Sequence, residues 1–175
     1  MNEATRIQPA PTAELGASGE EFQNLHEFVR KARAKLNQNA WDYIVGAAET
    51  ETTMHRNRMA LDEIAFRPRV LRNVAKVDAS VELFGRKLRL PVMLAPVGAL
   101  ELFDPGAGAS VARAAQRFGA AHMVSSVTQP GLEKVAGAAP DALRIFQLYV
   151  RGDDDFVEDK VSRAIASGYT AFCLT

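Results

Sequence analysis

The feature that most constrains this chain is a regular alternation of apolar strands and helices in its second half. Four strand-like segments have centres near Leu94, Met123, Gln147 and Cys173, at spacings of 29, 24 and 26 residues, and each interval holds one helical pattern. Repeated β-α units of this length predict a parallel sheet with right-handed crossovers. A doubly wound open sheet and a (β/α)8 barrel both fit, and both bind ligands at the carboxyl ends of their strands.

The residues before this repeat predict a helical region and a hairpin. Residues 1–23 have no periodicity and are expected to form a flexible leader ahead of one domain, residues 24–175. A capping box formed by Asn24 and Glu27 begins the first helix, and further helices are expected around 40–49 and 53–64. Alternating apolar residues on both sides of Gly85 predict a β-hairpin within 80–91.

Capping residues within the repeat predict where its helices begin and end. Asp104 is expected to be the N-cap and Pro105 the first residue of a helix that ends near Gly119. The apolar segment 91–97 is expected to be the strand before it. The acidic run 153–155 is expected to cap a later helix and favour its dipole, rather than hold a cation.

Composition excludes several classes of protein. Lys+Arg and Asp+Glu are both 21, so the net charge is zero, which argues against a nucleic-acid-binding domain. The single cysteine excludes an intrachain disulfide and fits a reducing compartment. No apolar run is long enough to span a bilayer, no signal peptide is visible, and no Cys/His spacing indicates zinc. A soluble cytoplasmic protein is therefore expected.

The predicted strand ends carry small or neutral hydrogen-bonding residues. The first strand ends in the small segment 96–98, and later strands end in or carry Ser125, Gln147, Tyr149 and Thr175. Any one of these positions could be polar only because it faces water. Together they are typical of a site for a neutral, planar ligand rich in donors and acceptors, and a flavin ring fits that description.

Seven segments, in order, resemble the FMN-dependent α-hydroxy-acid oxidases and dehydrogenases, enzymes that act on lactate, glycolate or mandelate. The segments are DYIVGAA, RNRMAL, FRPRVL, LPVMLAPVG, MVSS, FQLYV and the closing LT. The resemblance implies a (β/α)8 TIM barrel. The chain would hold its N-terminal helices, a hairpin closing its bottom, and about the first four β/α units. It also implies FMN as the cofactor, a small 2-hydroxy acid as the substrate, and a homotetramer for the full-length parent.

The same resemblance implies roles for individual residues. The backbone at Pro96, Val97 and Gly98 would lie against the flavin near its reactive nitrogen. The pyrimidine edge of the flavin would be hydrogen-bonded by Ser125, Gln147 and Thr175. Tyr43 would help bind the substrate carboxylate, although packing with a wet hydroxyl is the plainer interpretation of that residue alone. Tyr149 would be both a catalytic and a substrate-binding residue, through contact with the substrate hydroxyl.

The chain also departs from the pattern of this family. Val127 follows the strand-end serines where many relatives have a large residue, which changes the expected pocket shape. Gly98 favours a dehydrogenase or a monooxygenase-like member, and oxygen, a quinone or a cytochrome all remain open as electron acceptor. The family's histidine base and carboxylate-binding arginine would lie beyond Thr175, and neither His26, His55 nor His122 lies in the base motif. The chain alone is therefore expected to be inactive.

Two alternatives remain open at this point. One is a different flavin- or phosphate-binding barrel enzyme, which would share the strand rhythm but not the pair Tyr43 and Tyr149. The other is a catalytically inactive half-barrel fragment. Two local motifs carry little weight: GAGASV at 106–111 lacks the third glycine of a dinucleotide fingerprint, and RGD at 151–153 is a chance tripeptide.

Overall fold

The computed structural model describes residues 22–175, which fall into two compact units, 22–78 and 79–175. The predicted leader, 1–23, lies almost entirely outside the described residues. Within 22–175, no helix combines the length and the apolar character that crossing a bilayer requires.

The first unit consists of three helices, as its periodicity predicts. They are α1 (Leu25–Lys35), α2 (Gln38–Val45) and α3 (Thr52–Asp62). The predicted capping residues are confirmed, since the Glu27 N–H donates to Asn24 Oδ1 over 3.3 Å. Helix α2 begins before the predicted residue 40 because the Asn37 side chain caps it, accepting the Ala40 N–H at 2.9 Å.

The second unit begins with the predicted hairpin, formed by β1 (Val81–Leu83) and β2 (Arg86–Leu88). Phe84 and Gly85 make its two-residue turn with φ of 50° and 69°. Positive φ at both positions gives the turn a twist that matches the two strands. Gly85 adopts this conformation at no steric cost because it has no Cβ.

Four parallel strands follow: β3 (Met93–Leu94), β4 (Ala121–Ser125), β5 (Leu143–Leu148) and β6 (Ala171–Leu174). Their order in the sheet is their order in the chain. Strand β3 is much shorter than the predicted 91–97. Pro91 and Pro96 flank it, and a proline nitrogen cannot donate to a ladder of hydrogen bonds.

One helix lies in each interval between these strands: α4 (Ala107–Phe118), α5 (Leu132–Ala138) and α6 (Asp154–Ala166). The prediction that Asp104 caps α4 and that Pro105 is its first residue is wrong. Asp104 Oδ1 instead accepts the Gly106 N–H at 2.7 Å in a turn before the helix, so the helix begins at Ala107. The predicted end is confirmed, with Gly119 at φ 65°. Asp153 caps α6 as expected, accepting the Phe156 N–H at 3.1 Å.

The two faces of the parallel sheet have different neighbours. Val124, Phe146 and Leu148 point toward the helices and form a core with alanines and with Val135 and Tyr169. On the opposite face, Ala121 and Leu143 pack against Leu88 of the hairpin. Ala121 and Leu143 are the first residues of their strands, so the hairpin covers the amino-terminal ends of β4 and β5.

Candidate functional site

The carboxyl ends of the strands bring three neutral polar side chains together on one face. Ser125 pairs with Gln147 in the register of β4 and β5, and Gln147 pairs with Cys173 of β6. Thr175 lies two residues after Cys173, and side chains two residues apart point to the same face of a strand. The sheet therefore places the predicted cofactor residues Ser125, Gln147 and Thr175 side by side.

Hydrogen bonds hold these side chains in position. The Gln147 amide Nε2 donates to Thr175 Oγ1 over 2.6 Å, and its Oε1 accepts the Ser126 N–H at 3.4 Å. Ser125 Oγ accepts the Val127 N–H at 3.3 Å. Gln147 is only 2% exposed, so its orientation is fixed by its neighbours. Among the described residues its second N–H and the hydroxyl hydrogen of Ser125 have no acceptor, so both are available for a ligand.

The segment after β3 lies close to the loop after β4. A Cβ added to Gly98 would meet Val127 Cγ2 at 2.8 Å, closer than real side chains approach. Next to it, the Ala99 N–H donates to the Val127 carbonyl at 3.1 Å. Pro96, Val97 and Gly98 thus lie at the same edge of the sheet as Ser125 and Gln147. The small residue at position 98 lets the two loops approach each other.

A pocket of about 390 Å³ opens beside these strand ends. Its lining residues follow β4, follow β5 or begin α6, and they are Ser126, Val127, Tyr149, Arg151, Gly152 and Phe156. Tyr149 had been predicted to take part in a site here, whereas Arg151 and Phe156 had not. The sequence signal for Arg151 is its position just after a predicted strand, within the RGD tripeptide at 151–153.

Tyr149 lies one residue beyond β5, and its ring forms one wall of the pocket. Its N–H donates to Ser126 Oγ over 3.3 Å, which anchors its backbone to the end of β4. The guanidinium carbon of Arg151 lies 5.2 Å from the centre of its ring, a cation–π contact. Within residues 22–175 the phenol oxygen has no hydrogen-bond partner, so it is available to a ligand.

The remaining predicted or candidate residues lie on α1, α2 and α3 and near the amino end of β4. Tyr43 lies on α2 in the 22–78 unit and is 62% exposed. His26 and His55 are exposed on α1 and α3. His122 is 1% exposed, near the amino end of β4, on the face that carries Val124 toward the helices. Of the described histidines, none lies at the carboxyl ends of the strands.

The position of His122 gives it an unusual titration. Burial, assisted by the positive charge of Arg144 on the neighbouring strand, lowers the pKa of His122 from 6.5 to about 4. Its Nδ1 has no hydrogen-bond partner in the part of the chain that the structure describes. Burial likewise lowers the pKa of the Arg144 guanidinium, which donates to the Ala139 carbonyl and lies over the Tyr169 ring. These groups belong to the layer between sheet and helices.

The chemistry available at the strand ends is neutral hydrogen bonding with one nearby cation. No group of three or more His, Cys, Asp or Glu side chains in the described part of the chain could hold a metal ion. A planar heterocycle with alternating donors and acceptors suits Ser125, Gln147 and Thr175 better than a charged ligand does.

Comparison with known proteins identifies the family. Residues 32–175 match the family model described as FMN-dependent dehydrogenase. The chain belongs to the FMN-dependent dehydrogenase family. FMN is the cofactor of this family, and this confirms the predicted cofactor.

Individual relatives support the assignment of the chain to the FMN-dependent dehydrogenase family. Glycolate oxidase 1 of Zea mays is 38% identical over 155 residues, which are 89% of this chain and 42% of the relative. 2-Hydroxyacid oxidase 2 of Rattus norvegicus is 35% identical over 86% of this chain and 43% of its own length. A crystal structure of mandelate oxidase superposes with a TM-score of 0.82 at 32% identity, over 88% of this chain and 44% of that chain. The chain spans less than half the length of these relatives.

The residues present fit part of an FMN site. The fixed amide of Gln147 and the hydroxyls of Ser125 and Thr175 are neutral groups of the kind that bind the polar edge of a flavin. The close approach of backbone at Gly98 leaves little side-chain bulk at this edge. These features concern the ring of the cofactor.

Proposed function

We propose that the whole protein uses FMN to oxidise a small L-2-hydroxy acid, of the lactate, glycolate or mandelate kind, to the 2-oxo acid. The observation that carries this proposal is the row of neutral polar side chains Ser125, Gln147 and Thr175 across three strand ends. The family match and the names of the relatives support it. In this reaction the substrate loses two electrons and two protons, one from carbon and one from the hydroxyl.

When bound, FMN supplies the two-electron acceptor for this oxidation. Ser125, Gln147 and Thr175 would hydrogen-bond the pyrimidine edge of the ring, and the short backbone segment 96–98 would lie against the ring. Because Gln147 is buried and bonded at both ends of its amide, it is preorganised for this task. A preorganised donor reorients little when the ligand arrives, so less free energy is lost on binding.

Tyr149 contacts the substrate in this proposal. Its phenol hydroxyl, with no protein partner in the described chain, donates to the substrate hydroxyl oxygen or to the carbonyl oxygen that forms from it. The anchored backbone and the Arg151 contact hold the ring at the pocket wall. Tyr43 is proposed to bind the substrate carboxylate, a role that rests on the family resemblance.

A general base must take the hydroxyl proton, and it has to lie within hydrogen-bond reach. His122 is buried on the helix-facing side of the sheet, and neither His26 nor His55 lies in the base motif of the family. The base is therefore proposed to come from outside these residues, and the chain alone is proposed to be inactive. Oxygen is one candidate electron acceptor; a quinone and a cytochrome are the others.

The architecture proposed for the whole protein is a (β/α)8 barrel of which residues 24–175 form the N-terminal part. The supporting observation is that β3, β4, β5 and β6 are neighbours in chain order. A doubly wound sheet reverses its strand order at a switch point, and these four strands contain no reversal. The whole protein is also proposed to be a homotetramer located in the cytoplasm.

Flavin binding and reduction test this function. The purified whole protein is expected to be yellow, and its visible flavin absorbance is expected to bleach when lactate, glycolate or mandelate is added without oxygen. Replacing Thr175 by Val removes the hydroxyl that Gln147 bonds. We expect this change to weaken FMN binding about tenfold, the free energy of one hydrogen bond.

Thr128→Val is the matched control, because it makes the same chemical change at a buried hydroxyl that has no hydrogen-bond partner in residues 22–175. FMN affinity should be unchanged in this variant. Protein that stays colourless in the presence of excess FMN would rule out the proposed function. Equal FMN affinity in both variants would leave the function standing but remove Thr175 from the cofactor site.

A further inference from the structure

The pocket beside Tyr149 contains a positive charge that the proposed reaction does not use. Arg151 is exposed to solvent and lines this pocket of about 390 Å³. Its contact with the described residues is the cation–π interaction with Tyr149, at 5.2 Å from the ring centre. In residues 22–175 it forms no salt bridge and no side-chain hydrogen bond.

The other groups that line the pocket carry no charge. Ser126, Val127, Gly152 and Phe156 complete the lining with Tyr149. Three aspartates follow Arg151 closely in sequence, at 153–155, but none of them lines the pocket. Asp153 is engaged in capping α6, and the other two lie in the first turn of that helix, where a negative charge is favourable. The guanidinium is thus the only charged group on the pocket wall among the described residues.

An uncompensated guanidinium next to the proposed substrate-binding tyrosine has a direct chemical meaning. Arginine presents a planar fork of donors that matches a carboxylate, and it pairs with one through two parallel hydrogen bonds. In the proposed reaction the hydroxyl-bearing carbon lies at Tyr149. Arg151 is then placed to reach the other end of the substrate, away from the reacting carbon.

Val127 and Gly152 leave room for such a group. Val127 is a medium-sized side chain, 42% exposed, and Gly152 has no side chain at all. A substrate that extends from Tyr149 toward Arg151 therefore meets little bulk.

We infer that Arg151 is a specificity residue that binds a second anionic group of the substrate, so that the enzyme prefers 2-hydroxy acids with a carboxylate at their far end. The inference rests on the proposed function and deepens it, because it names the class of hydroxy acid. It requires no change in the oxidation step, since the second carboxylate takes no part in bond making or breaking.

The test compares two substrates of similar shape in the FMN-loaded whole protein. 2-Hydroxysuccinate carries a terminal carboxylate where 2-hydroxy-4-methylpentanoate carries an isopropyl group. The measured quantity is the ratio of kcat/KM for the first substrate to kcat/KM for the second. A ratio is used because losing the Arg151 contact with Tyr149 would slow both substrates together.

We expect the diacid to be preferred, and Arg151→Met to lower the ratio roughly tenfold or more, as expected for one charge-assisted hydrogen-bonded pair. Arg151→Lys, which keeps the charge but not the fork, should restore part of the preference. The preference should also weaken as salt is added, because the guanidinium is exposed.

Lys134→Met is the matched control. It removes one exposed positive charge from α5 without touching the pocket, and it should leave the ratio unchanged. An equal loss in this control would overturn the inference, because the effect would then come from net charge alone. A ratio unchanged in Arg151→Met would also overturn it, while flavin reduction by either substrate would leave the proposed function intact. Flavin that no hydroxy acid reduces would overturn both.

Discussion

Replacing Gly98 by Ala tests the close approach of two loops at the candidate site. The added methyl would lie 2.8 Å from Val127 Cγ2, about 1 Å inside the ordinary separation of roughly 3.5–4.0 Å between carbon atoms. The backbone of Gly98 is not in the left-handed region, so Ala can adopt its conformation. The predicted effect therefore separates into a steric cost and a backbone gain.

Both contributions can be estimated. Val127 is 42% exposed and can shift, so the steric cost lies in the lower part of the range for overpacking, about 1.5 kcal/mol. Exchanging Gly for Ala restricts the unfolded chain and stabilises by about 0.7 kcal/mol. Gly98→Ala should then lower the free energy of unfolding by about 0.8 kcal/mol. After Val127→Ala has removed Cγ2, the same substitution should raise it by about 0.7 kcal/mol.

The assay is urea unfolding of the four proteins in this double-mutant cycle, followed by linear extrapolation. The expected coupling between positions 98 and 127 is about 1.5 kcal/mol, with a change of sign between the two backgrounds. If Gly98→Ala has the same effect with Val and with Ala at position 127, the two loops do not meet as described. Unequal urea dependence among the four proteins would instead indicate a change in the unfolded state.

Two further predictions concern the layer between sheet and helices. The pKa of His122 is depressed in the folded state, so the unfolded state binds more protons between its two pKa values. Stability is then fully present above pH 6.5 and is lost as the pH falls toward about 4. The loss should reach at most about 3 kcal/mol. Urea unfolding at several pH values in this window should show that the unfolding free energy of His122→Gln changes less with pH than that of the unaltered protein. An identical pH dependence in the two proteins would contradict the assignment. Tyr169→Phe removes the hydroxyl that donates to the Leu132 carbonyl at 2.9 Å. Its unfolding free energy should fall by about 1 kcal/mol, the usual net value of such a bond. An unchanged urea midpoint would show that water replaces this bond.

The existence and type of most elements could be predicted from the sequence because the periodicities were clear. Short apolar segments at regular spacing identified β4, β5 and β6, and helical spacing of apolar residues identified α1 and α6. Boundaries were less certain where two local effects compete. Asp104 had the chemistry of an N-cap, but its carboxylate is used in a tighter turn two residues on, which no pattern of side-chain types distinguishes.

The candidate site could be predicted only in part. The position of Gln147 on the ligand-facing side followed from alternation within one strand. Its bond to Thr175 depends on the register between β5 and β6, a tertiary property that local sequence does not encode. The stacking of Arg151 on Tyr149 is of the same kind, since it depends on how the chain turns after β5. The roles of these residues in binding FMN and substrate stay predictions.

The hairpin packs through Leu88 onto Ala121 and Leu143 and covers the amino-terminal end of the sheet there. With the amino ends of β4 and β5 covered, a small molecule reaches Gln147 and Tyr149 from the carboxyl side. Substitutions in this cluster should therefore change the stability of the protein to heat or urea but not its choice of substrate. Substitutions in the loops after β4 and β5 should instead change the choice of substrate, because these loops line the entrance of the pocket. Directed evolution of substrate preference in this protein can accordingly be confined to a few positions around that entrance.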